Sequence, residues 1–179
     1  NLEGLYDQYA LRLTGQKLTT PAGQQAVAQL NDIGTQLARS LEQDIRGELR
    51  QQSTANGLVA LPIMDAQLAR LPKMQKWSPE THDRLAAELH ALRDRTRTRI
   101  TAQQNQLARF TEDELGQRVA VLDDLALLTG DERYRRESVD VVTTLRRKAE
   151  EALKGEQYGE ARRALLALQQ VSPEDRSLN

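Results

Sequence analysis

Two stretches of the chain have apolar side chains at spacings of three and four residues, the pattern of one buried side on a long α-helix. The first stripe consists of Ala26, Leu30, Ile33, Leu37, Leu41, Ile45 and Leu49. The second consists of Leu85, Leu89, Leu92, Thr96, Ile100, Gln103, Leu107 and Phe110. A helix over 21–52 spans roughly 45–50 Å at the usual rise per residue. Because the alternation that strands need is missing, the sequence predicts an all-α fold.

Residues that start and stop helices divide the rest of the chain. Thr20 can cap a helix that begins at Pro21, and Ser78 can cap one that begins at Pro79, since proline has no N–H to leave unpaired. We predict helices over 2–14, 21–52, 63–71, 79–110, from the Thr111–Glu114 capping box to Gly130, over 131–154 and over 157–171. Each of the last three predicted helices has an apolar inner face. For the helix that ends at Gly130 this face is Leu115, Val119, Leu122, Leu125 and Leu128, and for the helix over 131–154 it is Tyr134, Val139, Val142, Leu145, Ala149 and Leu153. For the helix over 157–171 it is Tyr158, Ala161, Leu165, Leu168 and Val171.

These helices are predicted to form one domain over residues 1–179. Residues 21–110 are expected to fold as a long-helix hairpin, because its two helices match in length and the segment between them lets the chain turn back. Residues 111–175 are expected to hold the C-terminal helices. The expected architecture is therefore elongated, with antiparallel helical hairpins or a bundle and a helix pair at each end.

Composition excludes several functions. The chain has no cysteine, which excludes disulfides and thiolate metal sites. Its 25 basic and 26 acidic residues give a formal net charge of −1, so nothing draws the whole chain to nucleic acid or to an anionic membrane. No run of about 18 apolar residues occurs, so no segment of this sequence is predicted to span a bilayer. The chain begins with Asn1, which we interpret as a processed or partial chain whose parent had a signal or a membrane anchor.

No residue pattern predicts catalysis. His82 and His90 are eight residues apart on one predicted helix, about 12 Å by rise, and cannot hold one metal together. The basic run consists of Arg93, Arg95, Arg97 and Arg99. On a helix these arginines spread around about half the circumference, and no aromatic residues lie between them for base stacking. We therefore predict that the chain is not an enzyme and has no cofactor, metal or nucleic-acid site.

Residues 149–173 have the form of a helix, a tight turn and a second helix closed by proline. Small or apolar residues on the two predicted helices include Leu145, Ala149, Ala152, Ala161 and Leu165. Tyr158 precedes Ala161 by three residues, and Pro173 follows Ala161 by twelve. In these features residues 142–175 resemble a tetratricopeptide repeat, a helix–turn–helix unit of about 34 residues.

Leu168 departs from that family's pattern, which has a small residue there, and so does Lys148, where the pattern has an apolar one. Residues 5–30 are similar to divergent repeats of bacterial envelope proteins, whose extended turn reads Leu-Thr-x-Pro-x-Gly and here runs from Leu18 to Gly23. The resemblance implies repeat-like helix pairs at both ends of the chain. It also implies a role in protein–protein contact within the bacterial envelope, as part of a membrane-anchored parent.

A rival resemblance involves residues 127–134, which read Leu-Leu-Thr-Gly-Asp-Glu-Arg-Tyr. This stretch looks like one that joins two helices in the extracytoplasmic helical bundles of bacterial sensor kinases and chemoreceptors. Ordinary helix-end chemistry produces the same letters. The resemblance implies an alternative function, a ligand-sensing bundle of a membrane receptor, with both termini close together.

The sequence thus favours a non-enzymatic interaction or scaffold domain that holds a protein partner in a groove between helix pairs. The predicted partner-binding residues are Tyr134, Arg135, Tyr158 and Arg162, near the C-terminal pair. The expected location is the periplasmic side of the cell envelope, with the cytoplasm as the alternative. A second copy of the chain is one candidate partner, because stripes on long helices pack equally well within a chain or between two chains.

Overall fold

The structure, a computed structural model, describes residues 2–14, 19–111 and 114–171. Throughout these ranges it contains helices and turns and no strand, which confirms the all-α prediction. The helices are α1 (Leu2–Leu13), α2 (Pro21–Gln51), α3 (Leu61–Leu68), α4 (Leu71–Trp77), α5 (Pro79–Leu107), α6 (Leu115–Thr129), α7 (Glu132–Lys154) and α8 (Tyr158–Val171). Leu18 in the predicted extended turn, part of the capping box and the closing Pro173 lie outside the described residues.

Proline lies in the first turn of four helices, where its missing N–H costs nothing. These prolines are Pro21, Pro62, Pro72 and Pro79. Thr20 caps α2 as predicted, since its hydroxyl oxygen accepts a hydrogen bond from the Gly23 amide at 3.1 Å. The predicted helix over 63–71 differs from the structure, which has two short helices, α3 and α4. Pro72 does not end a helix there but lies in the first turn of α4, which begins at Leu71.

Contacts divide the chain into two compact units, residues 1–94 and 95–179, and the boundary falls within α5. Each unit has its own apolar core. The first core is Ala38, Ile45, Leu71, Met74, Leu85 and Leu89, and the second is Val119, Leu122, Val141, Leu145, Ala149 and Leu168. The sequence has no signal at this boundary, because the buried stripe of α5 continues through it.

In the first unit, α5 runs parallel to α2, so the predicted antiparallel packing of these two helices is wrong. Glu42 pairs with Arg84 at 2.9 Å, and Arg46 pairs with Glu88 at 2.8 Å. Both partners advance by four residues, so the contacts proceed along both helices in the same direction. The Glu42 carboxylate, which accepts a hydrogen bond from Arg46, raises the pKa of that guanidinium further.

The helices α3 and α4 connect α2 to α5, and together they run back along α2. Glu48 accepts hydrogen bonds from Gln67 Nε2 at 2.6 Å and from Arg70 Nη1 at 2.9 Å. At the end of α4, the carbonyl oxygen of Trp77 lies beside Gly34. The segment between α2 and α5, for which one short helix is predicted, contains two helices and is long enough to run back along α2. For this reason α5 starts again in the direction of α2.

Two glycines in the interior of α2, Gly34 and Gly47, have different surroundings. A Cβ built on Gly34 would lie 2.8 Å from the Trp77 carbonyl oxygen and 3.1 Å from Tyr6 Cε2. A Cβ built on Gly47 would meet nothing within 4 Å. Gly34 therefore allows close packing of α1 and the end of α4 against α2, and Gly47 has no such role.

In the second unit, α6, α7 and α8 pack together, and α6 crosses α8 closely at Gly116, where a Cβ would lie 3.3 Å from Ala167 Cβ. The predicted inner face of α6 is buried at Val119, Leu122, Leu125 and Leu128. The predicted inner face of α7 is wrong at two positions, since Val139 and Leu153 are exposed. They lie on a side of α7 that neither α6 nor α8 covers, and apolar periodicity alone cannot distinguish a covered side from an uncovered one.

Candidate functional site

The turn between α7 and α8 sets the geometry of the C-terminal helix pair. The Gln157 amide donates to the Ala152 carbonyl at 2.8 Å, and the Glu156 amide donates to the Leu153 carbonyl at 3.2 Å. These two bonds define a Schellman motif, in which the residue after the helix adopts a positive φ. Here that residue is Glu156, at φ 56°, whereas Gly155 has φ −85°. The motif reverses the chain in three residues, so α7 and α8 form an antiparallel hairpin.

A groove of about 430 Å³ lies on one side of this hairpin, next to the start of α6. Its apolar lining is Leu115, Leu145, Ala152, Ala164 and Ala167, and its polar lining is Lys148, Glu151, Gln157, Glu160 and Arg163. The acidic and basic residues lie one helical turn apart on each helix, so the lining is of mixed charge. Glu151 also pairs with Arg147 at 3.0 Å. The sequence analysis did not single out these charged residues, because their spacing is that of any solvated helix face.

The opposite side of the hairpin presents a second surface, which we call the outer face. It consists of Val139, Arg146 and Leu153 on α7 and Tyr158, Arg162 and Leu166 on α8. Residues two apart on a helix point about 160° away from each other, so Leu153 and Tyr158 face away from the groove residues Glu151 and Glu160. The exposed fractions of its apolar side chains are 59% for Val139, 47% for Leu153, 67% for Tyr158 and 50% for Leu166.

Two of the four predicted partner-binding residues, Tyr158 and Arg162, belong to the outer face. The prediction that Tyr158 also lies on the inner face of its helix is wrong, since its side chain is exposed. Tyr134 and Arg135 lie at the other end of α7, about 30 Å away along the helix, so the structure does not bring the four residues into one cluster. Tyr134 packs against the core of the second unit, and its hydroxyl oxygen accepts a hydrogen bond from Gln104 Nε2 at 2.8 Å.

Arg135 is exposed and pairs with Glu132 at 3.3 Å. It lies four residues before Val139, on the same side of α7 as the outer face. Arg135 therefore borders the far end of the outer face, whereas Tyr134, one residue earlier, contributes to packing.

The junction between α6 and α7 is built from helix-end interactions. Gly130 has φ 70° and ends α6, and Asp131 caps α7 by accepting a hydrogen bond from the Arg133 amide at 2.9 Å. Hydrogen bonds from the Arg133 side chain and backbone lower the pKa of Asp131. The stretch that resembles a linker in sensor proteins thus joins two helices by ordinary C-cap and N-cap chemistry.

Some of the histidines and arginines named in the sequence analysis make pairwise contacts with carboxylates. His82 Nδ1 lies 2.8 Å from the carboxylate of Asp83. Arg93 pairs with Asp65 at 2.8 Å, and Arg99 approaches Asp124 at 3.4 Å. Among the described residues, no group of three or more histidine or carboxylate side chains is arranged to hold a metal ion.

Comparison of the chain with known proteins gave no match to a family model, to a curated protein or to a solved structure. The resemblance to tetratricopeptide repeats therefore stays a prediction. Of the helices in the described ranges, none combines the length and the apolar character that crossing a bilayer requires.

Proposed function

We propose that this chain is a non-enzymatic protein–protein interaction or scaffold domain whose binding surface is the outer face of the α7–α8 hairpin. The observation that supports it is the exposure of four large apolar side chains on that one face. Single exposed apolar residues are common on protein surfaces, whereas a group of them on adjacent helices is typical of a contact surface. Tyrosine at position 158 adds a residue type that is enriched at interfaces.

The arrangement of charge on the outer face suggests the chemistry of the partner. On α8, Arg162 lies between Tyr158 and Leu166, with four residues on each side. A helix that has apolar side chains on both sides of a central carboxylate matches this order. A second copy of the chain presents an arginine, and no carboxylate, at the same position of its own α8. We therefore infer a partner of a different sequence.

The cellular setting is part of the same proposal. Residues 5–30 and 142–175 support a bacterial envelope protein on the periplasmic side, through their resemblance to envelope repeats. The alternative, a ligand-sensing bundle of a receptor, rests on residues 127–134 alone, and the hydrogen bonds there are those of ordinary helix ends.

The proposal is tested by quantitative affinity capture with the full chain, using extract from cells that make it. The outer-face variant combines Leu153→Gln with Leu166→Gln, and the matched groove variant combines Lys148→Gln with Arg163→Gln. We expect the outer-face variant to recover about tenfold less of the main partner, because a central apolar contact is typically worth more than 1 kcal/mol. The groove variant should recover as much as the wild type.

Both variants change side chains at the hairpin surface, and circular dichroism and thermal unfolding check that each is folded. Loss of the partner from the groove variant alone would move the binding site to the groove and contradict the proposal. Sedimentation velocity of the purified chain tests the partner class separately. A dimer that the outer-face variant abolishes would contradict a partner of different sequence.

A further inference from the structure

The helix α1 is held to the first unit differently from the other helices. It has no buried residue, whereas α2, α3 and α4 each have at least two. The Tyr6 hydroxyl donates to the Lys76 carbonyl at 2.7 Å, and ion pairs join Asp7 to Lys76 at 3.1 Å and Glu3 to Lys73 at 3.8 Å. Exposed ion pairs contribute little to stability. A helix of 12 residues is also marginal in water by itself, so α1 depends on docking to remain helical.

The surface under α1 is shaped to accept a helix. We call it the α1 seat and define it by Gly34, Leu37 and Leu41 on α2 and Lys73 and Trp77 on α4. The missing side chain of Gly34 leaves room for an aromatic ring, and Tyr6 Cε2 occupies that room. Lys73 lies at the edge of the seat and pairs with Glu3, and Lys76, three residues later on α4, provides a positive charge for the Asp7 carboxylate.

The helix α1 does not fill this seat. A cleft of about 370 Å³ remains beside Glu3, with an apolar lining of Leu37, Leu41, Ala69 and Trp77 and a polar lining of Ser40, Asp44, Arg70 and Lys73. The residue of α1 that lies at the cleft is Glu3, whose carboxylate pairs with Lys73 and does not fill the apolar part of the cleft. Unfilled space of this kind loses contacts that a larger apolar side chain would make.

We propose that the α1 seat is a second binding site, which α1 occupies as a weak internal competitor of a partner helix. The partner is an amphipathic helix with a large apolar residue, an aromatic residue three positions later and a carboxylate directly after it. This pattern follows Glu3, Tyr6 and Asp7, with an apolar side chain in place of Glu3. The inference goes beyond the proposed function, because it uses different helices and depends on none of the outer-face residues.

Each element of the partner has a defined acceptor. The aromatic ring enters the space at Gly34, the following carboxylate meets Lys76, and the apolar side chain enters the cleft. Each methylene group buried in the cleft raises the affinity about fourfold. An apolar residue in place of Glu3 cannot pair with Lys73. The loss of this exposed ion pair offsets little of the gain in affinity. A second copy of the chain presents the same Glu3 and has no advantage over α1, which is already tethered to its seat.

The first test adds a labelled peptide of residues 2–13 with Glu3→Met, acetylated and amidated, to the full chain. Fluorescence anisotropy and the emission of Trp77, the one tryptophan of the chain, report binding. In the Tyr6→Ala chain, α1 docks more weakly to its seat and competes less with the peptide. This chain should therefore bind the peptide about tenfold more tightly than the wild type does. A peptide that also has Tyr6→Ala is the matched control and should not bind. Absence of binding to the Tyr6→Ala chain at about 1 mM peptide would overturn the proposal.

The second test measures amide hydrogen exchange in the folded chain and needs no peptide. Glu3→Met should raise the protection of α1 amides about tenfold, which corresponds to burial of roughly two methylene groups. Glu3→Gln is the matched control and should give no rise, and the protection of α2 should stay the same in both variants. An α1 whose amides exchange only with global unfolding, or whose protection falls in Glu3→Met, would contradict a weakly held occupant.

Discussion

The two compact units differ in where they leave apolar side chains exposed. In the described residues of unit 1–94, the exposed large apolar side chains are Leu2, Leu5 and Leu11, all on α1. In those of unit 95–179, they are Leu127, Val139, Leu153, Tyr158 and Leu166, spread over α6, α7 and α8. The helices α2 to α4 thus cover their large apolar residues among themselves, while α7 and α8 do not.

Polar contacts do not separate the two units. An ion pair between helices of the first unit joins Glu42 to Arg84, and one in the second unit joins Arg118 to Glu137. Ion pairs near the surface contribute little energy, but they favour one alignment of the helices over others. The comparison therefore rests on the exposed apolar side chains of α7 and α8, which form the outer face.

The largest expected effect concerns close packing in the first unit. Gly34→Ala places a Cβ against the Trp77 backbone and should lower the free energy of unfolding by about 1–3 kcal/mol. Gly47→Ala in the same helix has open space around it and should raise that free energy by about 0.5–1 kcal/mol, since alanine favours helix. Urea unfolding measures both. Equal effects of the two substitutions would contradict the role given to Gly34.

The corresponding contact in the second unit is less tight, so we expect a smaller effect. Gly116→Ala should lower the free energy of unfolding by about 1 kcal/mol, because its Cβ would meet Ala167 Cβ at 3.3 Å. Ala167→Gly in the same chain should recover part of that loss in a double-mutant cycle. Gly159→Ala, with nothing within 4 Å, is the control and should not destabilise. Additive effects of the first two substitutions would show that they do not share a contact.

A glycine at position 156, in the turn between α7 and α8, should stabilise the second unit. Glu156→Gly should raise the free energy of unfolding by about 0.5 kcal/mol, because relief of the positive φ exceeds the added chain entropy of glycine. Glu150→Gly, in the exposed interior of α7, should instead lower it by about 1 kcal/mol. Thermal unfolding of the two variants gives the comparison. Destabilisation by both would mean that the left-handed conformation at Glu156 is not strained.

The smallest expected effect is a pH dependence at two helix starts of the second unit. Hydrogen bonds from Thr111 lower the pKa of Glu114, and those from Arg133 lower the pKa of Asp131. A carboxyl with a lowered folded-state pKa stabilises the fold above its ordinary pKa of about 4, and the contribution disappears as the pH falls through the folded-state pKa.

The variant with Glu114→Gln and Asp131→Asn should therefore lose less thermal stability between pH 6 and pH 3 than the wild type does. Melting temperatures at the two pH values measure the difference, which should be small because both carboxylates are at the surface. An identical pH dependence in variant and wild type would contradict the role of these caps.

Much of the helix pattern could be predicted, because buried sides of helices have a period that the sequence shows directly. The bounds predicted for the helices over 21–52, 131–154 and 157–171 agree with α2, α7 and α8 to within one residue. Thr96 and Gln103, two polar members of the stripe of α5, are fully buried as that stripe predicts. Apolar period thus identifies a buried polar position as well as a buried leucine.

What covers each buried side could not be predicted, because a stripe does not specify its partner. The direction of α5 against α2 depends on α4 (Leu71–Trp77), which the sequence analysis does not predict. Val139 and Leu153 continue the apolar period of α7 but find no covering helix in the described residues. This failure of the prediction is informative, since these same residues form the outer face. The left-handed residue of the last turn, Glu156, gave no sequence signal, because glycine is the usual residue there.

Site-specific photo-crosslinking in cells tests most directly whether the outer face is the binding surface. The photoreactive residue p-benzoylphenylalanine replaces Tyr158, Leu166, the groove residue Arg163 or the exposed Leu11 of α1, each in the full chain. We predict that positions 158 and 166 crosslink to the same protein and that positions 163 and 11 do not. Crosslinks to a common protein from position 163 or 11 but not from 158 and 166 would contradict this account.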